Sequence, residues 1–182
     1  MVEQNKKKDM AQTEYVEKVL NVRRVAKVIT GGRRFAFSAL VVVGDQSGKI
    51  GHALGKSREV SSAIAKASKK ARATMIEVPM YKTTIPYAVS GKYCSSKVIL
   101  RSASKGTGVI AGGAVRAVME AIGVQDVLSK VIGSKCPQNV VKATLNALSK
   151  LHSAKDLARL RGKTIREIIG QENIGAENVA AK

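Results

Sequence analysis

The chain has 182 residues, 45% of them hydrophobic and 25% charged, which is typical of one globular domain or two small ones. Its net charge of +19 opposes compact folding unless a polyanion compensates it. Nucleic acid is therefore the first candidate partner and an anionic membrane surface the second. No apolar run approaches the about 20 residues of a spanning helix. Residues 1–15 lack the apolar segment of a secretory signal, and their acidic residues disfavour a transit peptide.

The first half of the chain begins with residues 1–14, which are polar, mixed in charge and expected to be disordered. A β-branched run follows, and then Phe35, Phe37, Ala39, Val41 and Val43 recur at the period of one strand face. These patterns predict a strand over 15–29, a turn at Thr30-Gly31-Gly32, a strand over 35–43, a turn at 44–48 and a strand over 49–54.

A helix is predicted over residues 57–77, with Ser57 as its N-cap and Glu59 in the favourable first turn. Apolar residues at steps of three and four give it a buried face, formed by Val60, Ile64, Ala67, Ala71, Met75 and Val78. The opposite face carries Lys66, Lys69, Lys70 and Arg72.

The second half begins at a domain boundary predicted near Pro79. We expect two strands within 84–104 around a turn at Ser90-Gly91, and then a glycine-rich turn over 105–113. The next predicted element is a helix that buries Ala114, Ala117, Val118 and Ala121 and ends at Gly123, and a strand over 124–131 follows it.

Another helix is predicted to have Cys136 as its cap, Pro137 at its first position, and an apolar stripe of Val141, Leu145 and Leu148. The last predicted helix follows a capping box at Thr164-Ile165-Arg166-Glu167 and ends at Gly170.

Two glycine-rich segments resemble nucleotide-binding loops only loosely. Residues 44–49 are one residue too short for a P-loop, and Ile50 replaces the Ser or Thr that binds magnesium, so a hairpin turn is favoured. The glycines from Gly106 to Gly113 have the wrong spacing for a dinucleotide fingerprint. Close backbone packing at a helix start and a contact surface for another chain explain them equally well.

The sequence offers no catalytic or metal-binding constellation. His52 and His152 have no companions at ligand spacing, and Cys94 and Cys136 are far apart, so we expect no metal or cofactor and two reduced cysteines in a cytosolic protein. Paired carboxylates and a Ser/His/Asp set are not evident. Tyr81, Tyr87 and Tyr93 could stack on bases but are better explained as packing residues.

The positive charge is concentrated in residues 22–72, which hold 12 of the 32 basic residues and 2 of the 13 acidic ones. A charge run is often only a solvated face. Here the basic helix face coincides with a basic turn and with a basic segment before the helix, which favours binding of a phosphate backbone. The candidate RNA-binding residues are Arg23, Arg24, Lys27, Thr30, Gly31, Gly32, Arg33, Arg34, Lys49, Lys56, Ser57, Arg58, Lys66, Lys69 and Lys70.

Several long motifs, in order over residues 15–170, resemble the bacterial form of ribosomal protein five of the small subunit. They are Gly31-Gly32-Arg33-Arg34-Phe35 to Val43-Gly44-Asp45, Gly48-Lys49-Ile50-Gly51, Gly55-Lys56-Ser57-Arg58-Glu59-Val60, Gly106-Thr107-Gly108-Val109-Ile110-Ala111-Gly112-Gly113-Ala114-Val115-Arg116-Ala117-Val118, Asn139-Val140-Val141-Lys142-Ala143-Thr144 and Arg161-Gly162-Lys163-Thr164.

The resemblance implies an α+β fold with two domains. The first, over residues 15–79, is like a double-stranded-RNA-binding domain with a three-stranded sheet and a helix. The second, over 80–153, is a βαβα domain of a fold also seen in some kinases and in the ribonuclease P protein. Residues 1–14 would then be a disordered tail, and 154–182 a C-terminal helix and tail.

The resemblance also implies a place on the solvent side of the 30S subunit, in contact with rRNA and with ribosomal proteins four and eight. The family helps line the channel through which mRNA enters and supports decoding accuracy. Its contact with protein four maps to Lys105, Gly106, Thr107, Gly108 and Arg116, with Lys105 where the family often has Glu. Its turn near the subunit head and the spectinomycin site maps to Lys27, Thr30, Gly31 and Gly32.

The function expected is therefore that of an rRNA-binding structural protein of the cytoplasmic rather than an organellar ribosome. We expect no catalysis, no membrane partner and no stable homo-oligomer. Two alternatives remain at this point, a free regulator that binds double-stranded RNA and a small-molecule kinase. The missing magnesium motif and the scarcity of acidic residues disfavour the kinase.

Overall fold

The computed structural model describes residues 15–165 and residue 167. In this part of the chain the elements are β1 (Val16–Ile29), β2 (Gly32–Gly44), β3 (Lys49–Ser57), α1 (Val60–Ala73), β4 (Ile76–Glu77), β5 (Val89–Tyr93), β6 (Ser96–Ser102), β7 (Val109–Ile110), α2 (Gly113–Ile122), β8 (Val127–Gly133), α3 (Pro137–Leu148) and α4 (Ala154–Arg161). The fold is α+β, as predicted.

The first sheet has the order β1-β2-β3-β4 and is antiparallel throughout. Alternate residues of β2 point to opposite faces, and the face with Ala39, Val41 and Val43 packs against α1. The alternation in the sequence therefore corresponds to one face of β2, whose Phe35 remains 48% exposed beyond the helix. The two-residue β4 adds a fourth strand to the three expected.

Close contact between α1 and β3 depends on glycine. A Cβ atom at Gly55 would lie 2.1 Å from the carbonyl oxygen of Ala63, and one at Gly51 would lie 2.0 Å from that of Ala71. Any side chain at these two positions would push the helix away from the sheet. The helix that carries the basic residues is therefore seated directly on the strand.

The second sheet has the order β5-β6-β8-β7, antiparallel except for the parallel pair β7 and β8. Its inner face contributes Val98, Leu100 and Val127 to a core that also includes Val118 of α2 and Val141 of α3. Together, the two helices cover one face of this sheet, which gives the second half of the chain its layered α+β arrangement.

The two sheets share this larger core. The second face of β2 supplies Leu40 and Val42 to it, and Ile50 of β3 joins them, so this part of the first sheet is buried on both faces. Described residues up to Leu151 form one compact unit. The described residues from His152 to Ile165 belong to another, in which α4 begins with a capping box between Ser153 and Asp156.

The turn between β2 and β3 fastens the first sheet to α2. Within the turn, the Asp45 carboxylate accepts hydrogen bonds from the backbone of Ser47 and Lys49. Gln46 and Gly48 donate backbone hydrogen bonds to the carbonyl oxygens at the C-terminal end of α2, at 3.1 and 3.2 Å. This hairpin turn is structural, as predicted, and it satisfies carbonyl groups that a helix end leaves open.

Two sequence predictions about the first sheet were wrong. The third strand was expected to end at residue 54, but Lys56 and Ser57 continue the ladder opposite Ser38 and Phe37. Ser57 is therefore a strand residue and not the N-cap. The helix begins at Val60 with Glu59 at the N-cap, and it ends at Ala73, before the predicted residue 77. Pairing with the neighbouring strand determines where β3 ends and α1 begins, and local sequence signals carry no information about that pairing.

The expected buried face of this helix was also only partly right. Ala67 and Ala71 are buried, as predicted, and Ala63 and Ser68 complete the face. Val60 is 37% exposed because it lies at the first turn, beyond the edge of the packed surface.

Three further predictions differ from the structure. Ser90-Gly91 lies inside β5, and the turn falls between β5 and β6 at Cys94 and Ser95, because Gly91 is needed where α3 packs on the strand. The strand predicted over 124–131 is β8, shifted to Val127–Gly133. Helix α4 lies within the segment 154–182 that was expected to hold a C-terminal helix and tail, but it begins at Ala154, ahead of the Thr164 capping box at which the sequence placed that helix. The helix predicted to follow the Thr164 capping box and to end at Gly170 lies largely outside the described residues, as do residues 1–14.

The helix after the glycine-rich segment and the helix after Cys136 agree with prediction. Gly123 ends α2 with a φ of 98°, a backbone conformation that favours glycine. Cys136 is the N-cap of α3, and Pro137 is its first residue. Ala117, Val118 and Ala121 are buried in α2 as expected, whereas Ala114 is only partly buried.

Candidate nucleic-acid interface

A two-stranded basic ribbon extends beyond the first sheet. Strand β3 pairs with β2 only from Phe37 to Gly44, whereas β1 and β2 continue to pair as far as Ile29 and Gly32. Residues 25–36 therefore form a projecting hairpin, and together with Arg23 and Arg24 at its base they are here named the basic ribbon. At its tip Gly31 has a φ of 97°, and a Cβ there would meet no atom within 4 Å. The tip requires glycine for its backbone conformation and leaves space for a partner to approach.

The cations of the basic ribbon lie on both of its faces. Residues paired across two strands share a face, and Lys27 is opposite Arg34 while Val28 is opposite Arg33. Counting along each strand places Arg24 and Arg33 on the face that α1 covers further along the sheet. Arg23, Lys27 and Arg34 lie on the other face. All five are exposed, so the basic ribbon can contact phosphate groups from two sides.

Arg24 is held in place by Phe35. Its guanidinium carbon lies 3.8 Å from the centre of the Phe35 ring, which is 48% exposed. Such a cation–π contact contributes about 0.5–1 kcal/mol at an exposed site. The ring also fixes the orientation of the guanidinium, and it leaves the charge accessible. Sequence reasoning missed this pair, because the two residues become neighbours only through the strand register.

The end of β3 extends the basic surface on one face. Lys56 lies opposite Ser38, which in turn lies opposite Arg23, so the three residues form one row across the sheet. Lys49 belongs elsewhere, because it pairs with Glu77 at the opposite end of β3. The structure thus brings Lys56 together with the basic ribbon and separates Lys49 from it.

The start of α1 is a poor phosphate site, although Lys56, Ser57 and Arg58 before it were among the candidate RNA-binding residues. Glu59 stands at the N-cap and its carboxylate accepts a hydrogen bond of 3.4 Å from the Ser62 hydroxyl group. A carboxylate at the positive end of a helix satisfies the charge preference that a phosphate would otherwise satisfy. Ser57, being a strand residue opposite Phe37, cannot cap this helix, while Arg58 is exposed just before it.

The exposed side of α1 carries the predicted cations. Lys66, Lys69 and Lys70 are all exposed. Arg72 is engaged within the protein, because it forms a 2.8 Å ion pair with Glu17, which also accepts a 2.8 Å hydrogen bond from Ser68. Glu17 therefore ties α1 to β1, and no local sequence pattern signals this contact between distant segments.

The glycine loop, residues 105–108, is a separate exposed surface near the start of α2. Gly106 and Gly108 have φ values of 92° and 77°, and a Cβ at either would meet no atom within 4 Å. Close backbone packing, one of the two sequence explanations, therefore does not account for these glycines. Lys105 and Thr107 are exposed beside them.

Asp126 organises the glycine loop from within. Its buried carboxylate accepts backbone hydrogen bonds of 3.0 Å from Gly106 and from Gly108. The hydrogen bond from Gly108, followed by one from the Thr83 side chain, lowers the pKa of Asp126 because these donors stabilise the ionised carboxylate. Asp126 is 18 residues from the nearer glycine in sequence, so only the fold reveals its role.

Arg116 is oriented toward the strand that follows this loop. Its side chain is exposed, and it donates a 2.9 Å hydrogen bond to the carbonyl oxygen of Val109. The guanidinium is thereby held near the loop with donors still available for a partner. The structure thus places the predicted protein-interface residues in one region, on a side of the second sheet where α2 begins.

The histidines and cysteines do not assemble a metal site in the described part of the chain, where no group of three His, Cys, Asp or Glu side chains could hold an ion. His52 is half-buried, and burial followed by the charge of Lys142 lowers its pKa. Cys94 and Cys136 are both free thiols. Among the helices of the described residues, none has the length and apolarity needed to cross a bilayer.

The tyrosines are placed at the surface and at the edge of the core. Tyr87 packs against the larger core. Tyr81 and Tyr93 are 49% and 37% exposed, and the ring of Tyr93 lies 4.8 Å from the Lys142 ammonium group. The packing role expected from the sequence therefore describes Tyr87 better than the other two.

Comparison with known proteins gives two matches along the chain. Residues 15–79 match the family described as ribosomal protein S5, N-terminal domain, and residues 91–161 match the ribosomal protein S5, C-terminal domain. The chain belongs to the ribosomal protein S5 family. The S5 family consists of structural ribosomal proteins and not of enzymes, so the kinase alternative is set aside.

Bacterial relatives agree over most of the chain. The small ribosomal subunit protein uS5 of Syntrophobacter fumaroxidans is 52% identical over 160 residues, which cover 88% of this chain and 96% of the relative. The uS5 protein of Treponema denticola is 53% identical over 157 residues, which cover 86% of this chain and 91% of the relative. The uS5 protein of Lawsonia intracellularis is 52% identical over 158 residues, covering 86% and 97%. The S5 resemblance inferred from the motifs is thus confirmed.

Proposed function

We propose that this protein is a structural component of the small ribosomal subunit in the bacterial cytoplasm and binds rRNA chiefly through the basic ribbon. The observation that carries this proposal is the set of exposed cations on both faces of the basic ribbon, in a segment without an acidic residue from 18 to 44. Cations on a rigid hairpin neutralise phosphates and release counterions. Such contacts position a protein on RNA and do not read bases.

The proposed RNA surface continues from the basic ribbon onto the end of β3 and onto α1. Lys56 extends one face, and Lys66, Lys69 and Lys70 give α1 an exposed row of positive charge. Lys49 and Ser57 are weaker members, because Lys49 lies opposite Glu77 and Ser57 is part of the sheet. The RNA contacts are therefore expected to be dense near the ribbon and sparse at the far end of β3.

A second surface would serve the protein contacts. The glycine loop and Arg116 support a contact with ribosomal protein four, because two open glycines allow a second backbone to approach closely. The family resemblance extends the proposal to a contact with protein eight, to mRNA in the channel through which it enters, and to a role in decoding accuracy. The domain division at residue 79 belongs to the same proposal, with both halves sharing one core.

The test replaces Arg33 and Arg34, one on each face of the basic ribbon. Arg33→Ala with Arg34→Ala should lower the slope of log affinity against log salt by about 0.9 for each phosphate of duplex rRNA that the variant no longer neutralises. Lys155→Ala with Lys163→Ala removes the same charge from exposed positions outside both sheets and serves as the matched control. Equal slopes for the two double variants would reject the assignment of the ribbon.

Sedimentation separates this function from that of a free RNA-binding regulator. A structural component should travel with the 30S particle through a gradient and resist a low-salt wash. A regulator would remain near the top of the gradient while still binding duplex RNA.

A further inference from the structure

The second sheet has an open face that includes none of the predicted functional residues. Its inner face is buried, with Val98, Leu100 and Val127 fully covered. The alternate residues of the same strands point the other way, and nearly all of them are exposed. This open face comprises Ser90, Lys92, Lys97, Ile99, Arg101, Ile110, Leu128, Lys130 and Ile132.

Cations and aliphatic side chains alternate on the two central strands of the open face, β6 and β8. Along β6 and along β8, a charged residue and an aliphatic residue succeed each other at every second position. Between β6 and β8 the register also sets a cation against an aliphatic residue in each pair of this face, which are Lys97 with Ile132, Lys130 with Ile99, and Arg101 with Leu128. Along β8, Lys130 therefore separates Leu128 from Ile132, whereas Ile110 of β7 lies directly opposite Leu128.

The open face is positive throughout. Lys92, Lys97, Arg101 and Lys130 are exposed on it, and it carries no acidic side chain. Lys130 is the diagonal neighbour of both Lys97 and Arg101, at the about 7–8 Å that separates diagonal positions in a sheet. Lys92 lies directly opposite Lys97, although like charges in that relation destabilise a sheet. A polyanion on this face would relieve the repulsion.

The pattern favours RNA over a protein partner. Protein interfaces are depleted of lysine and usually bury a continuous apolar centre. Here the aliphatic residues form only a narrow diagonal path across the sheet, with Ile132 and Leu128 48% and 38% exposed, and four exposed cations flank it. The face also has no aromatic ring, so it offers no platform on which the bases of a single strand could stack. The regularly spaced cations of this face therefore suit the phosphate backbone of an RNA helix.

We propose that the open face binds the phosphate backbone of an RNA duplex, as a second RNA surface that is separate from the basic ribbon. Lys97, Lys130 and Arg101 contact phosphate groups, and the aliphatic residues between them fill the space along the sugars. Because these residues belong to a different sheet, the open face can bind RNA whether or not the ribbon does.

The first test is the triple variant Lys97→Ala, Arg101→Ala and Lys130→Ala in the full chain. Its control, Lys82→Ala with Lys155→Ala and Lys163→Ala, removes the same charge from exposed positions outside both sheets. With an RNA duplex of about 16 base pairs as the probe, removing the cations that neutralise three phosphates should lower the salt slope by about 2.7. The control should keep its slope. Equal slopes for the two triple variants would overturn the proposal.

The second test locates the RNA on the molecule. Methyl signals of Ile99, Leu128 and Ile132 should shift when the same duplex is titrated into the full chain. They should also shift in the variant Arg33→Ala with Arg34→Ala, which keeps the two RNA surfaces distinguishable. Unchanged methyl signals at saturating RNA would refute the proposal. So would a triple variant that binds duplex RNA as the control does but fails to join the 30S particle, since the face would then dock a protein.

Discussion

Replacing Gly55 by alanine tests whether α1 sits directly on β3. The added Cβ would stand 2.1 Å from the carbonyl oxygen of Ala63 and 2.7 Å from the backbone nitrogen of Ala67. Both atoms belong to the helix backbone and cannot rotate away. To restore an ordinary contact of 3.4 Å, the helix would have to move out by roughly 1.3 Å at this point.

Such a displacement would open the small core beneath the helix. Ala39, Val41 and Val43 would separate from α1, and a gap of 0.5–1 Å already forfeits about a quarter to a half of the dispersion energy between two packed atoms. Overpacking of this kind costs about 3 kcal/mol, at the upper end of the usual range, because no side-chain rotation can relieve it. For a chain of this size, that corresponds to a fall in Tm of about 6–12 °C.

Urea unfolding with a matched glycine substitution measures the effect. Gly113→Ala is the control, since a Cβ there meets no atom within 4 Å and alanine favours the helix in which it lies. The urea midpoint should fall for Gly55→Ala and hold or rise for Gly113→Ala. If both variants unfold at the wild-type midpoint, the proposed contact between α1 and β3 is absent.

Three further predictions concern the turn at Gly32, the carboxylate of Asp126, and the surface formed by the glycine loop and Arg116. Gly32→Val should alter the response to spectinomycin while the isolated protein still folds. Because Gly32 has a φ of 144°, the substitution should also introduce strain of about 1–3 kcal/mol. A collapse of the Tm would instead show that the turn has a structural role only. Asp126→Asn should destabilise the protein near neutral pH, where the carboxylate is ionised. Because its pKa is lowered below 3.8, this stabilisation is complete above that pH and is lost as the pH falls through the folded value, so urea midpoints of variant and wild type should converge in acid. Gly106→Arg or Arg116→Leu should raise reporter readthrough with rRNA affinity nearly intact; normal readthrough with weakened rRNA binding would show that this surface faces RNA.

Local patterns in the sequence predicted the elements whose form depends on local interactions. Alternation along β2 identified a strand and the residues of one of its faces, and Pro137 and Gly123 marked helix ends through their own backbone preferences. The turn predicted at Ser90-Gly91 was wrong, because a glycine can mark either a turn or a close approach by another element. Only the position of α3, which packs on Gly91, decides between the two.

The candidate RNA surface was predictable in composition but not in arrangement. Counting charges identified the cations of residues 22–72, yet their division between two faces depends on the register of β1 and β2. The same limit applies to Arg24 and Phe35, and to Asp126 beneath the glycine loop. In each case the partners are brought together by strand pairing or by loop closure, which no short window of sequence contains.

The turn from β2 to β3, bonded to the end of α2, couples the stability of the two sheets. Because Leu40, Val42 and Ile50 belong to the same core as the second sheet, neither half can unfold without exposing the other. A ligand that binds only the folded chain stabilises it by an amount that grows with its concentration, about 2.7 kcal/mol at 100 times its Kd. RNA bound at one sheet would therefore raise the free energy of unfolding of the whole unit. Each RNA contact made during ribosome assembly would thus stabilise the folded form of the surfaces that have not yet bound a partner.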